Sequence, residues 1–113
     1  MTDQPLKIAK GYNGQLLLFN NKIRIERKGL LPFLTQGYKG QKDIYLKQIS
    51  SIQFKPAGLI TNGYIQFAFI GGSENKGGLF QAVKDENTIM FTKKQQKDFE
   101  EIRDLIEELN PKN

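Results

Sequence analysis

The chain has 113 residues, a formal net charge of +5 at pH 7, and neither cysteine nor histidine. A chain of this length fits one domain with a single hydrophobic core. The missing cysteines exclude disulfides and thiolate metal sites. The missing histidines remove the most frequent general base and metal ligand of enzymes. The composition therefore argues against most enzyme classes, and we expect neither a cofactor nor a metal.

The amino-terminal segment has no basic stretch followed by an apolar one, so we expect no signal peptide. The longest apolar runs, residues 16–19 and 67–70, are strand-sized and too short to span a membrane. We therefore expect a cytoplasmic protein with no integral membrane segment. Residues 1–10 are polar with weak apolar spacing, and we interpret them as a flexible lead-in to a domain over residues 11–110.

The clearest local pattern is a β-hairpin. Residues 15–19 form an apolar run that is typical of a strand buried on both faces. Asn20-Asn21 follows, and asparagine tolerates the positive φ that a two-residue hairpin turn needs. Residues 22–27 then alternate polar and apolar side chains, which predicts that Ile23 and Ile25 face inward.

An apolar segment follows the hairpin. It is broken by Pro32 and punctuated by glycines, so it fits neither a strand nor a helix, and we interpret it as a long connection with a hydrophobic tip. Its apolar residues are Leu30, Leu31, Phe33 and Leu34. If exposed, they would mark a contact with a protein or a membrane; the alternative is that they fold back into the core.

Further strands are predicted along the rest of the chain, separated by turn residues. They cover residues 43–46, 51–55, 64–69, 79–83 and 88–92. The glycine-rich residues 71–78 lack the Gly-Lys-Ser/Thr ending and the following helix of a phosphate-binding loop, so we interpret them as a loop between two strands.

Near Thr92 the hydrophobic period changes from two residues to about 3.6. Phe99, Ile102, Leu105 or Ile106, and Leu109 then share one face of a helix, and such an amphipathic helix must dock on the sheet. The order of elements predicts a mainly β member of the α+β class. It would be a seven-stranded sandwich or barrel capped by one C-terminal helix.

Several short motifs resemble a bacterial family of pleckstrin-homology-like domains of unknown function, often joined to a short C-terminal oligomerisation domain. The resemblance implies the fold given above and a binding function, and it spans about residues 11–109. The motifs are Gly14-Gln15-Leu16, Ile23-Arg24-Ile25 with Lys28-Gly29, Gly37-Tyr38-Lys39-Gly40 with Ile44, residues 49–54, Gly63-Tyr64-Ile65, and residues 85–89 with Phe91.

The positive charge is concentrated in the first half of the chain. Residues 1–56 hold ten Lys/Arg against three Asp/Glu, whereas residues 57–113 hold seven against nine. We predict a basic face formed by Lys22, Arg24, Arg27, Lys28, Lys39 and Lys42. Such a face could attract anionic lipid head groups. The resemblance points to Lys22 and Arg24, because phosphoinositide-binding pleckstrin-homology domains carry basic residues around their first hairpin. The alternative is a solvated strand face.

From these patterns we expect a non-catalytic module for protein–protein interaction, including self-association, with the apolar loop as its first contact. The alternative is peripheral binding to anionic lipids at the inner membrane face through the basic residues. An enzyme is the third interpretation, and nothing in the sequence names its chemistry. Nucleic acid fits poorly, because no RNA- or oligonucleotide-binding signature is present and the helix is net acidic.

Overall fold

The computed structural model describes residues 4–27, 41–70 and 87–110. Over these residues the chain forms seven strands, a 3₁₀ turn at Leu46–Gln48 and one helix, α1 (Gln96–Leu109). The strands are β1 (Lys7–Lys10), β2 (Gly14–Leu18), β3 (Lys22–Arg27), β4 (Gln41–Tyr45), β5 (Ile49–Lys55), β6 (Gly63–Phe69) and β7 (Thr88–Phe91). They form two antiparallel sheets, β1-β2-β3-β4 and β5-β6-β7. The predicted mainly β sandwich with a C-terminal helix is confirmed, and its sheets do not close into a barrel.

The main hydrophobic core of the described residues lies between the two sheets. The first sheet contributes side chains such as Leu16 and Ile23, and the second contributes Ile65 and Phe67, all of them fully or almost fully buried. Each of these positions alternates along its strand with a residue on the opposite face, as the pleat requires. The inward orientation predicted for Ile23 and Ile25 is confirmed.

The β2–β3 hairpin has the predicted two-residue turn. The backbone N–H of Phe19 donates to the carbonyl of Lys22 at 2.8 Å, which leaves Asn20 and Asn21 as the only turn residues. Leu17 and Phe19 are buried although they face away from the core. The strand is thus buried on both faces, as predicted. The guanidinium of Arg24 lies 5.1 Å from the centre of the Phe19 ring.

Helix α1 docks through the predicted apolar stripe. Phe99, Ile102 and Ile106 are fully buried, and the Phe99 ring stacks on Phe91 of β7 at 4.7 Å between ring centres. Leu109, the last residue of the stripe, keeps 38% of its surface exposed. The stripe therefore joins the core over the first three turns of the helix.

The polar sides of α1 contact one outer strand of each sheet. The ammonium of Lys7 in β1 bonds to the carboxylate of Glu101 at 2.6 Å. The guanidinium of Arg103 lies 4.6 Å from the centre of the Phe54 ring in β5. The helix thus spans the opening of the sandwich between β1 and β5.

One part of the predicted element order differs from the described structure. Residues 7–10, expected in the lead-in, form β1 and pair with β2. Their pattern was weak because only Ala9 is buried there, while Ile8 faces outward and is partly exposed. The predicted strand at residues 79–83 lies outside the described residues.

Candidate binding site

Lys22 and Arg24, on the outer face of β3, share one carboxylate. Arg24 lies opposite Asp43 of β4 in the antiparallel register. Its Nε donates to Asp43 Oδ1 at 2.8 Å, and Lys22 Nζ donates to Oδ2 at 3.0 Å. Two of the predicted basic residues therefore lie together, but with an anion between them.

Arg24 and Asp43 shift each other's pKa in the direction that favours the charged form. The hydrogen bond from Arg24 lowers the pKa of the Asp43 carboxyl below its usual range, and Lys22 adds to this shift. Asp43 in turn raises the pKa of the Arg24 guanidinium. The triad combines two cationic side chains with one carboxylate, so its formal net charge is positive.

Arg27 and Lys42 lie on the opposite face of the same sheet. Arg27 Nη1 donates to the backbone carbonyl of Thr88 at 2.6 Å. Lys42 Nζ donates to the side-chain oxygen of Asn87 at 2.8 Å and lies 4.9 Å from the centre of the Phe69 ring. Both cations thus connect the first sheet to the second. The four predicted basic residues that the structure describes are therefore divided between the two faces of this sheet.

The remaining predicted site residues cannot be placed. They are Lys28 and Lys39 of the basic set, and Leu30, Leu31, Phe33 and Leu34 of the apolar loop. All six lie outside the described residues.

The outer edge of β7 is occupied by bonds to the first sheet. The N–H of Tyr12 donates to the carbonyl of Met90 at 2.7 Å, and the N–H of Met90 donates to the side-chain oxygen of Asn13 at 2.8 Å. The bond from Arg27 uses the carbonyl of Thr88 on the same edge. The β1–β2 turn therefore caps this edge of the second sheet.

The other edge of the second sheet is β5, and the hydrogen-bond register shows which of its groups point outward. Phe67 of β6 donates its N–H to Asn87 at 3.0 Å, towards β7. In an antiparallel strand successive residues bond to opposite sides, so Gln66 of β6 bonds to β5, where its partner is Gln53. The backbone groups of Ile52 and Phe54 consequently point away from β6.

The outward-pointing groups of β5 form an open edge. Among the described residues β5 pairs only with β6. The side chains of Ile52 and Phe54 are half-buried and face the core side, next to α1. The region between this open edge and α1, where Arg103 lies over the Phe54 ring, is called the β5 groove.

A cleft of about 360 Å³ lies at one end of this groove. The 3₁₀ turn leads directly into β5 and Leu109 ends α1, so both elements contribute to the walls of the cleft. Its lining consists of Asn20, Asn21, Tyr45, Leu46, Lys47 and Leu109. Apolar side chains with a few amides and one ammonium can hold a side chain of an incoming segment.

A family model for DUF4429, a domain of unknown function, matches residues 20–107. This chain belongs to the DUF4429 family. The matched range of the DUF4429 domain contains all of β5 and most of the cleft lining. The resemblance to an uncharacterised domain family is confirmed at that level. No curated protein and no solved structure gives a significant match to the chain.

The described part of the DUF4429 domain contains no group of three or more acidic side chains that could hold a metal ion. In the same part, no helix has the length and apolar character needed to cross a membrane.

The sequence analysis predicted β5 as a strand but not as the site. Its alternation of polar and apolar residues distinguishes a strand from a helix, yet an edge strand and a central strand can share that pattern. Edge position depends on which strands pair, and that is set by contacts distant in sequence. The exposed Ser50, Ser51 and Gln53 were the one local signal, because edge strands carry more polar residues.

Proposed function

We propose that the DUF4429 domain is a non-catalytic binding module of pleckstrin-homology-like architecture, acting in the cytoplasm. In this proposal an extended protein segment adds to β5 as a further strand. The observation that supports it best is the open edge of β5, which faces a groove beside α1, whereas the opposite edge of the same sheet is capped.

Strand addition would use the backbone groups of Ile52 and Phe54. Each residue offers one N–H and one C=O, and each bond formed contributes about 0.5–1.5 kcal/mol net. Alternate side chains of the added strand would point into the groove, towards the half-buried apolar side chains of β5. One of them would reach the cleft at Leu46 and Leu109, which would provide selectivity.

The added strand can come from another protein or from a second copy of this chain. Two β5 edges running antiparallel would form a symmetric dimer in which each copy uses the same surface. Light scattering across a range of concentrations separates these cases, because only self-association raises the mass of the isolated protein.

Anionic lipid at the predicted basic residues is the alternative function, and it has less support. Lys22 and Arg24 share Asp43, and Arg27 and Lys42 bond to the second sheet. A head group would have to compete with these partners.

The test has two steps. Binders are first selected from a displayed library of random peptides, and their affinity is then measured for two variants of Ile52. Ile52→Pro removes the outward N–H, and an edge strand tolerates proline because that N–H has no partner within the sheet. Ile52→Ala is the matched control, because it shortens the side chain and keeps the N–H. Selected peptides should bind the wild type and Ile52→Ala but not Ile52→Pro, as measured by calorimetry.

Thermal unfolding of both variants establishes that they are folded. Equal peptide affinity for the proline and alanine variants would rule out strand addition at β5. Failure of the library to yield any peptide that binds the wild type would also count against the proposal.

A further inference from the structure

The turn between β5 and β6 presents two aliphatic side chains to solvent. Gly58 donates its N–H to the carbonyl of Thr61 at 2.9 Å, so Leu59 and Ile60 occupy the two central positions of the turn. Leu59 is 96% exposed and Ile60 is 95% exposed. No packing reason within the described structure accounts for two adjacent aliphatic residues at this point.

The base of this turn is held firmly. Ala57 is buried, and its N–H donates to the side-chain oxygen of Gln96 at 2.8 Å. A Cβ on Gly63 would meet the backbone of both Lys55 and Ala57, so the two strands approach closely there. The aliphatic pair therefore projects from a rigid base at the end of the second sheet.

Three lysines lie in the segments next to this projection. Lys55 ends β5, and Lys93 and Lys94 lie in the turn that joins β7 to α1. The bond between Ala57 and Gln96 brings that turn to the same end of the molecule. None of these three lysines has an ion pair with a carboxylate in the described ranges.

The acidic residues of α1 are spread along its length. Two of them lie near its start: Asp98 pairs with Lys7, and Glu100 accepts a hydrogen bond from Gln96. Glu107 and Glu108 lie in the last turn, and a helix of this length spans about 21 Å. Lys55, Lys93 and Lys94 outnumber the two acidic residues near the end that carries Leu59 and Ile60, so that end is locally positive.

We infer that the Leu59–Ile60 turn is a membrane contact, in which the two aliphatic side chains enter an anionic lipid surface and Lys55, Lys93 and Lys94 bind its head groups. A two-residue apolar tip with lysines in the neighbouring segments suits shallow insertion at the boundary of head groups and acyl chains. A protein interface of ordinary size requires a broader apolar centre than two side chains.

This contact is independent of the proposed function. The cleft lies at the opposite end of β5 from the turn, so a bound domain keeps its groove accessible and turns its acidic helix end away from the anionic lipid. The site also differs from the predicted basic residues Lys22 and Arg24, which lie on the outer face of the first sheet.

The test is co-sedimentation with vesicles at low ionic strength. Wild-type protein should sediment with vesicles of phosphatidylcholine and phosphatidylglycerol, but not with phosphatidylcholine alone, and added salt should release it. Replacing both aliphatic residues, Leu59→Ser with Ile60→Ser, should lower the partition coefficient by about tenfold or more. Lys93→Glu with Lys94→Glu should have a similar effect.

Two controls accompany these variants. Lys47→Glu changes one exposed lysine at the cleft end, and Leu109→Ser changes a partly exposed leucine there; both should sediment like the wild type. All substituted side chains of the test variants are exposed, so their unfolding temperatures should match that of the wild type.

Three results would overturn the inference. The first is a wild-type protein that does not sediment with anionic vesicles at low salt. The second is a Leu59→Ser, Ile60→Ser variant that sediments as well as the wild type. The third is concentration-dependent dimerisation without vesicles that the same double variant abolishes, because the turn would then be a contact between copies of the chain.

Discussion

At the scale of single residues, Asp43 shows how one side chain can reduce the positive charge of a predicted site. The sequence placed Lys22 and Arg24 on one strand face, and that placement is right. It could not show that Asp43 of the next strand lies directly opposite Arg24, because register between β3 and β4 depends on a connection whose length and path no local pattern fixes.

Asp43→Asn should destabilise the domain at neutral pH by about 0.5–1 kcal/mol, since the pairs are partly exposed and screened by solvent. The folded-state pKa of Asp43 is lowered. Its stabilising contribution is therefore present above the unfolded pKa of about 4 and is lost as pH falls through the folded value. Thermal unfolding should be measured from neutral to acidic pH. The difference in unfolding free energy between the wild type and Asp43→Asn should shrink as the pH falls. A difference that stays constant down to the lowest pH would contradict the pairing.

Asn13 is a second residue with a role that no sequence pattern predicts. It lies in the β1–β2 turn, and its side chain also accepts the N–H of Met90, which lies 77 positions further along the chain. No local pattern indicates a partner at that distance.

Asn13→Ala should leave the N–H of Met90 without an acceptor and cost about 1–3 kcal/mol of unfolding free energy. Asn13→Asp, which keeps an acceptor oxygen, is the matched control and should lose much less. Urea unfolding measures both values. Equal losses in the two variants would show that the bond to Met90 contributes nothing to stability.

At the scale of elements, the strongest predictions from sequence were those with the longest periodic patterns. The β2–β3 hairpin and α1 follow their apolar spacing, and the two-residue turn at Asn20-Asn21 is formed as expected. β1 was missed because it is a four-residue outer strand with one buried side chain. Its strand conformation depends on pairing with β2 and on the contact of Lys7 with α1, not on its own pattern.

Two variants of α1 test whether the helix docks through its apolar stripe. Phe99→Ala should cost about 3–5 kcal/mol of unfolding free energy, because a fully buried ring is removed from the core. Leu109→Ala on the same helix should cost less than about 1 kcal/mol, because its side chain is partly exposed. Urea unfolding of the two variants gives the comparison, and similar losses would show that α1 does not dock through Phe99.

At the scale of the whole molecule, the order of the periodic patterns predicts the fold class. It does not predict which surface groups lie together. Two sheets and a closing helix were predictable because each element shows its period in the sequence. The separation of Arg27 and Lys42 from Lys22 and Arg24 was not, because it depends on which face of the sandwich each side chain occupies. The open edge of β5 likewise follows from the pairing of all seven described strands.

The central claim of this account is that, within residues 4–27, 41–70 and 87–110, the second sheet has one capped edge, β7, and one open edge, β5. Amide hydrogen exchange of the isolated protein, followed by NMR, tests it without a ligand. The amides of Ile52 and Phe54 should exchange about tenfold or more faster than those of Ser51 and Gln53, which bond to β6, while the amide of Met90 stays protected. Equal protection of all four β5 amides would show that this edge is already covered, and the proposed binding site would not exist.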